Sequence, residues 1–127
     1  MKGQRTVVTV PLMMVLLLCS CASLSEIRQR EPYRTLTSSK APKELAKCIE
    51  LNARSEIGTR FNEPVYSVVL EEHPDQTYHV ALTAPPTTAI ADVHIKPSES
   101  GSTVECRTLG AWLFKGHLWE IIERCGK

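Results

Sequence analysis

Apolar and polar positions change period twice along the second two-thirds of the chain. From Pro42, the apolar residues Leu45, Cys48, Ile49 and Ala53 recur at i, i+3, i+4 and i+8. That spacing lays one stripe along a helix over 42–55, with Pro42 in its first turn and Gly58 closing it. The period then falls to two. Residues 65–72, 76–83, 87–96 and 102–108 alternate apolar and polar, which predicts four strands. His73-Pro74-Asp75, Ala84-Pro85-Pro86 and 97–101 are the breakers between them. Loops this short connect antiparallel neighbours, so the strands form a meander. Helical period returns over 111–125, where Leu118, Ile121, Ile122 and Cys125 form the stripe and Gly126 ends it. Gly116 weakens the front of that helix and moves its expected start toward 116. The element order is α-β-β-β-β-α. The expected fold class is α+β, a two-layer domain whose four-stranded antiparallel sheet is covered on one face by two helices.

The alternation also predicts a register. Placing Tyr78, Val80 and Leu82 inward with Ala89, Ala91 and Val93 sets Leu82 against Ala89 and Val80 against Ala91. His79 then faces Asp92 and Thr77 faces His94 on the outer side.

The N-terminal residues follow neither period. Val7–Leu18 is an apolar run of 12 residues broken by Pro11, short of the roughly 20 needed to span a bilayer. Lys2 and Arg5 precede it, and all 14 acidic residues lie beyond residue 20. Charge followed by a short apolar run is the layout of an export signal. The run ends in Leu18-Cys19-Ser20-Cys21, which resembles the lipobox of bacterial lipoproteins: Leu at −3, small residues at −2 and −1, then Cys. The resemblance implies that Cys21 is the lipidated residue, cleaved from Ser20 and acylated. Cys19 cannot take that role, because Leu18 precedes it. Ala22 replaces the Asp that favours inner-membrane retention in such proteins, so the resemblance implies the outer membrane, facing the periplasm or the surface. The expected domains are a signal peptide over 1–20, a lipidated flexible tether over 21–39, and a head over 40–127. The tether reads as polar and aperiodic.

Charge and cysteine content change meaning once the leader is set aside. The whole chain has 15 basic and 14 acidic residues, a net charge of +1; without Lys2 and Arg5 the balance is 13 against 14. Neither value supports a nucleic-acid partner held by a basic field. Cys48, Cys106 and Cys125 remain beside the anchor, in an oxidising compartment that allows one disulfide. Cys48 and Cys125 lie on the two helix stripes and form the favoured pair. Cys106 with Cys125, Cys48 with Cys106, and no bridge stay open, since spacing does not fix pairing.

The pattern Pro42-x-Glu44-x-Ala46-x-Cys48-Ile49, alternating strands, then Ile122-Glu123-x-Cys125 resembles small uncharacterised lipoproteins of gammaproteobacteria and their prophages. It covers residues 40–125 and implies no particular activity.

No phosphate loop, paired CxxC, HExxH or nucleophile elbow occurs. No cofactor is expected. His79, Asp92 and His94 are the right residue types for a transition metal if the register brings them together. Ser67 on the neighbouring strand would complete a Ser/His/Asp set. Both readings suffer from a flat, solvent-facing sheet with no pocket. Trp119 lies off the last helix's stripe and is a candidate anchor for a protein partner, as are His79 and Asp92 on an open face with Val69, Ala81 and Ile90. The expected function is a membrane-anchored binding or structural module, not an enzyme, meeting another envelope protein or a small ligand. A prophage-type inhibitor or exclusion factor, and a metal-binding protein, are the alternatives.

Overall fold

A computed structural model describes residues 23–60, 63–64, 66–84 and 88–127. The expected signal peptide over 1–20, with Cys19, and Cys21, the expected lipidation site, lie outside the described residues.

The predicted helix and strands form close to their expected places. Helix α2 spans Pro42–Glu56, with Pro42 at its start. Strands β4 (Ser67–Glu72), β5 (Tyr78–Ala84), β6 (Thr88–Ser98) and β7 (Gly101–Thr108) form the antiparallel meander. Helix α3 spans Lys115–Gly126. Its start sits beside Gly116, as the weak front of that segment predicts. A short ribbon, β2 (Thr59–Arg60) with β3 (Glu63–Pro64), stands apart from the main sheet.

The sheet has five strands, not four. Residues 21–39 were expected to be a flexible tether, but Leu24–Arg28 is a helix, α1, and Arg34–Ser38 is a strand, β1. β1 pairs antiparallel with β7, Arg34 opposite Cys106 through Ser38 opposite Ser102, giving the order β1-β7-β6-β5-β4. Backbone pairing requires no apolar side chain. A polar stretch such as RTLTS can therefore close the open edge of β7, which would otherwise expose a row of unpaired groups. The joint is stitched at one end. Ser38 donates from its hydroxyl to the Gly126 carbonyl at 2.7 Å, and Ser102 donates to the Lys40 carbonyl at 2.7 Å. Gly101 lies there at φ +143°, where a Cβ would fall 2.3 Å from the Ser38 carbonyl oxygen, so only glycine fits.

The register differs from the expected one by two residues. Val80 faces Val93 and Leu82 faces Ala91, so His79 lies opposite His94 and Ala81 opposite Asp92. After Leu82 the pairing slips, with Thr83 facing Ala89, and Ile90 becomes the extra residue of a bulge. A bulge reverses which face each later side chain takes. Ile90 accordingly joins the main core, while Ala89 packs with Ile27 on the opposite face. Both were expected the other way round.

α2 and α3 cover one face of the sheet. Leu45, Ile49 and Ala53 from α2 and Leu118, Ile121 and Ile122 from α3 pack on Val80, Leu82, Ala91, Val93, Ile95 and Val104, all buried. The two helices lie side by side and are joined by the Cys48–Cys125 disulfide, whose Cα atoms are 5.8 Å apart. Asn52, one turn after Cys48, donates to the Cys48 carbonyl at 2.8 Å and borders both sulfurs. Cys106 is a free, buried thiol. The bridge spans 77 residues and ties the first core helix to the end of the chain. Replacing both cysteines by alanine is expected to destabilise the domain by about 4 kcal/mol, through loss of the constraint on the unfolded chain. A urea denaturation curve would show it as a lower midpoint.

Candidate functional site

The chemistry of this protein gathers on the face of the sheet opposite α2 and α3. That face was expected to be open. Instead α1 lies on it, with Ile27 fully buried against Ala89, and Leu24 and Leu109 packed beside them. The helix has five residues, too few to be stable alone. It is held by a cap, by one apolar contact and by charge. Ser23 is the cap residue, its hydroxyl accepting from the Glu26 amide at 3.2 Å. The Ser23-x-x-Glu26 spacing is that of a capping box, and it was the one sequence signal for α1.

Asp92 is the centre of the site. It sits on β6, in the middle of the sheet, with no exposed surface. A buried carboxylate needs partners. Arg28 of α1 donates from Nε to Asp92 Oδ1 at 3.2 Å and from Nη2 to Glu71 Oε2 on β4 at 2.8 Å. His79 of β5 places Nδ1 2.9 Å from Asp92 Oδ2 and 3.2 Å from Oδ1. A carboxylate only accepts, so Nδ1 carries the proton and donates. The Arg28 guanidinium therefore bridges two strands to α1, and Asp92 accepts from both sides. Burial works against the Arg28 charge, but the Asp92 and Glu71 carboxylates outweigh it and raise its pKa.

Three of the four histidines of the chain meet here. His79 and His94 stack with ring centroids 4.1 Å apart and planes 8° from parallel. His73, at the end of β4, meets His79 edge-on at 5.4 Å and lies 3.7 Å from Glu71 Oε2. Burial, followed by the neighbouring His79 and Lys96 charges, pushes the His94 pKa below its usual value, against Asp92 and Glu105. Glu105, opposite His94 on β7, bonds Lys96 and accepts from Arg107 Nη2 at 2.7 Å. These two cations outweigh desolvation and hold the Glu105 pKa below its usual value. Arg107 also donates from Nε to the Arg30 carbonyl at 2.8 Å, fixing the chain as it leaves α1.

The predicted site residues are thus brought together, but for other work. His79, Asp92 and His94 converge without forming a metal-binding group. An imidazole lone pair lies in its ring plane, and two stacked, parallel rings do not aim theirs at one point. Among the described residues no set of three His, Cys, Asp or Glu side chains is arranged to hold a metal ion. The Ser/His/Asp set does not assemble. Ser67 pairs with Thr83, while His79 pairs with Glu71, four residues further along β4, or about 13 Å. Asp92, with no exposed surface, and His79, mostly buried, are not free to meet a partner. Trp119 is also enclosed, only 7% exposed, in the main core with the Arg34 guanidinium 5.8 Å over its ring. It is a core residue because α3 is flanked by β1 as well as by the meander. The Cys106 thiol is pushed up to about 12 by burial and then by Asp92, which makes it an inert small hydrophobe. A cleft of about 360 Å³ lined by Ala41, Pro42, Lys43, Glu72, Gln76 and Tyr78 opens on the face away from His79 and His94, since Glu72 and Tyr78 alternate to the other face from Glu71 and His79.

The chain matches no known protein family and no curated protein.

Arg28→Ala leaves Asp92 with His79 as its side-chain partner among the described residues. The loss is expected to be about 2 kcal/mol, and amide exchange should rise over Leu24–Arg30 before it rises elsewhere. The pH dependence follows from the folded-state shifts. His94 binds its proton less readily folded than unfolded, so stability falls as the pH drops below about 6.5, the usual value for the group. Glu105 and Glu56, both lowered from the usual 4.5, add a second decline below that value. Thermal unfolding followed against pH should show both steps, and His94→Gln should remove the first alone.

Proposed function

We propose that the chain is exported and held in the outer membrane by lipid on Cys21, and that its head acts as a binding or structural module. Positive residues Lys2 and Arg5, the 12-residue apolar run and Leu18-Cys19-Ser20-Cys21 supply the export and anchoring signals. The observation that carries the reading is the Cys48–Cys125 bridge. Such a bond persists in an oxidising compartment and is rare in a reducing one. Among the described residues no helix is long and apolar enough to cross a membrane. Three acyl chains on one residue hold a protein firmly, where one would hold it marginally.

A binding or structural role fits the side chains better than catalysis. The groups with chemical potential are used internally: Asp92 and His79 hold α1, and Cys106 is enclosed. What α1 leaves uncovered on the outer face is the region of Val69, which is 47% exposed, and His73. That region is the surface offered to another envelope protein. In cells grown with labelled palmitate, the wild-type protein should take up the label and sediment with membranes. Cys21→Ser should lose both properties. A variant that keeps the label on the membrane overturns the anchoring at Cys21.

A further inference from the structure

The head does not hang on a long leash. The described structure begins at Ser23, the cap of α1, two residues beyond Cys21. Two peptide units reach at most about 7 Å. α1 is itself locked to the sheet by Arg28 and by Ile27, which packs on Ala89 near the start of β6. The attachment point is therefore tied to the end of the sheet where β6 begins and β7 finishes.

That end carries the most exposed large apolar residue described. Leu113 is 91% exposed, in the loop between β7 and α3. The loop is not slack. Its first residue, Leu109, bonds the Ile90 carbonyl at 2.9 Å and touches both the α1 contact and the main core. Trp112 and Phe114, on either side of Leu113, pack edge-on against Tyr66 at 5.9 and 6.3 Å, and the Trp112 indole donates to the Tyr66 hydroxyl at 3.2 Å. With both neighbours turned inward, Leu113 is held outward. Two cations stand beside the loop: Lys115 Nζ lies 5.1 Å and the Arg34 guanidinium 5.3 Å from the Tyr33 ring.

Resting on the anchoring proposed above, we propose that this end of the head seats on the phospholipid surface, with Leu113 entering the boundary between headgroups and acyl chains. Arg34 and Lys115 face the lipid phosphates. One leucine would not bring a free protein to a membrane. Here the lipid on Cys21 has already done so, and at the high effective concentration of a short connection a single apolar contact sets orientation. The opposite end, with the β6–β7 turn at Glu99, then points away from the bilayer. An eight-residue strand such as β7 separates the two ends by about 25 Å.

The test uses the acylated protein, purified from membranes and reconstituted into phosphatidylethanolamine–phosphatidylglycerol vesicles. An environment-sensitive fluorophore is attached at Leu113→Cys or, in a second sample, at Glu99→Cys. The buried Cys106 thiol does not compete for the label. The emission at 113 should brighten and shift to shorter wavelength on reconstitution, while that at 99 stays as in water. Equal emission at both sites, with palmitate present on Cys21, overturns the seat and leaves the anchor standing. A blue shift at 113 that fades as the protein is diluted over more vesicles means contact with a second copy and also overturns it. Absence of palmitate in the same sample removes the anchoring, and the seat with it.

Discussion

A carboxylate with no exposed surface in the middle of a sheet sets the terms for this fold. Asp92 cannot be left there alone, since an unpaired buried charge costs several kcal/mol. Its own sheet supplies one partner, His79, from the next strand. The second, Arg28, comes from 64 residues earlier in the chain, and bringing it in requires the N-terminal segment to fold back over the sheet. α1 and the placement of Ile27 on Ala89 answer that requirement, and the chain then returns as β1 to close the edge of β7. The face that would have been open becomes an interior, and two of the residues that resemble a site become structural.

The two faces are built by different means. The α2–α3 side is a conventional apolar core, closed by a covalent bond between the two helices. The α1 side has little apolar area and relies on paired charge: Arg28 with Asp92 and Glu71, and Arg107 and Lys96 with Glu105. Charge pairing depends on protonation where apolar packing does not. Within that layer burial lowers the His94 pKa, and Lys96 and Arg107 lower that of Glu105, so the charged face is where acid acts on the fold.

The core was legible because its signals are periodic and local. The stripes of α2 and α3 and the alternation of β4–β7 repeat often enough to be read, and Cys48 and Cys125 fell on the two stripes that pack together. α1 and β1 were not legible. Five residues with one buried isoleucine make no period, and a strand such as RTLTS is recruited through its backbone, by an edge that appears only when β7 exists. The capping box at Ser23 and Glu26 was present but brief. The register of β5 on β6 was misread by two residues because Ala89, Ala91 and Val93 satisfy the inward pattern in either phase. The bulge at Ile90 then moved Ala89 to the other face.

By itself the sequence determined the α+β class, the order of the core elements, the apolar face of each helix and the chemistry available at every position. Each of these rests on neighbours within a few residues. Tertiary structure alone decided that the sheet has a fifth strand, that Trp119 is enclosed, and that His79, Asp92 and Arg28 hold a helix in place. Each of those outcomes needs groups far apart in the chain to meet, and which of them meet is fixed by the cost of leaving a strand edge or a buried charge without a partner.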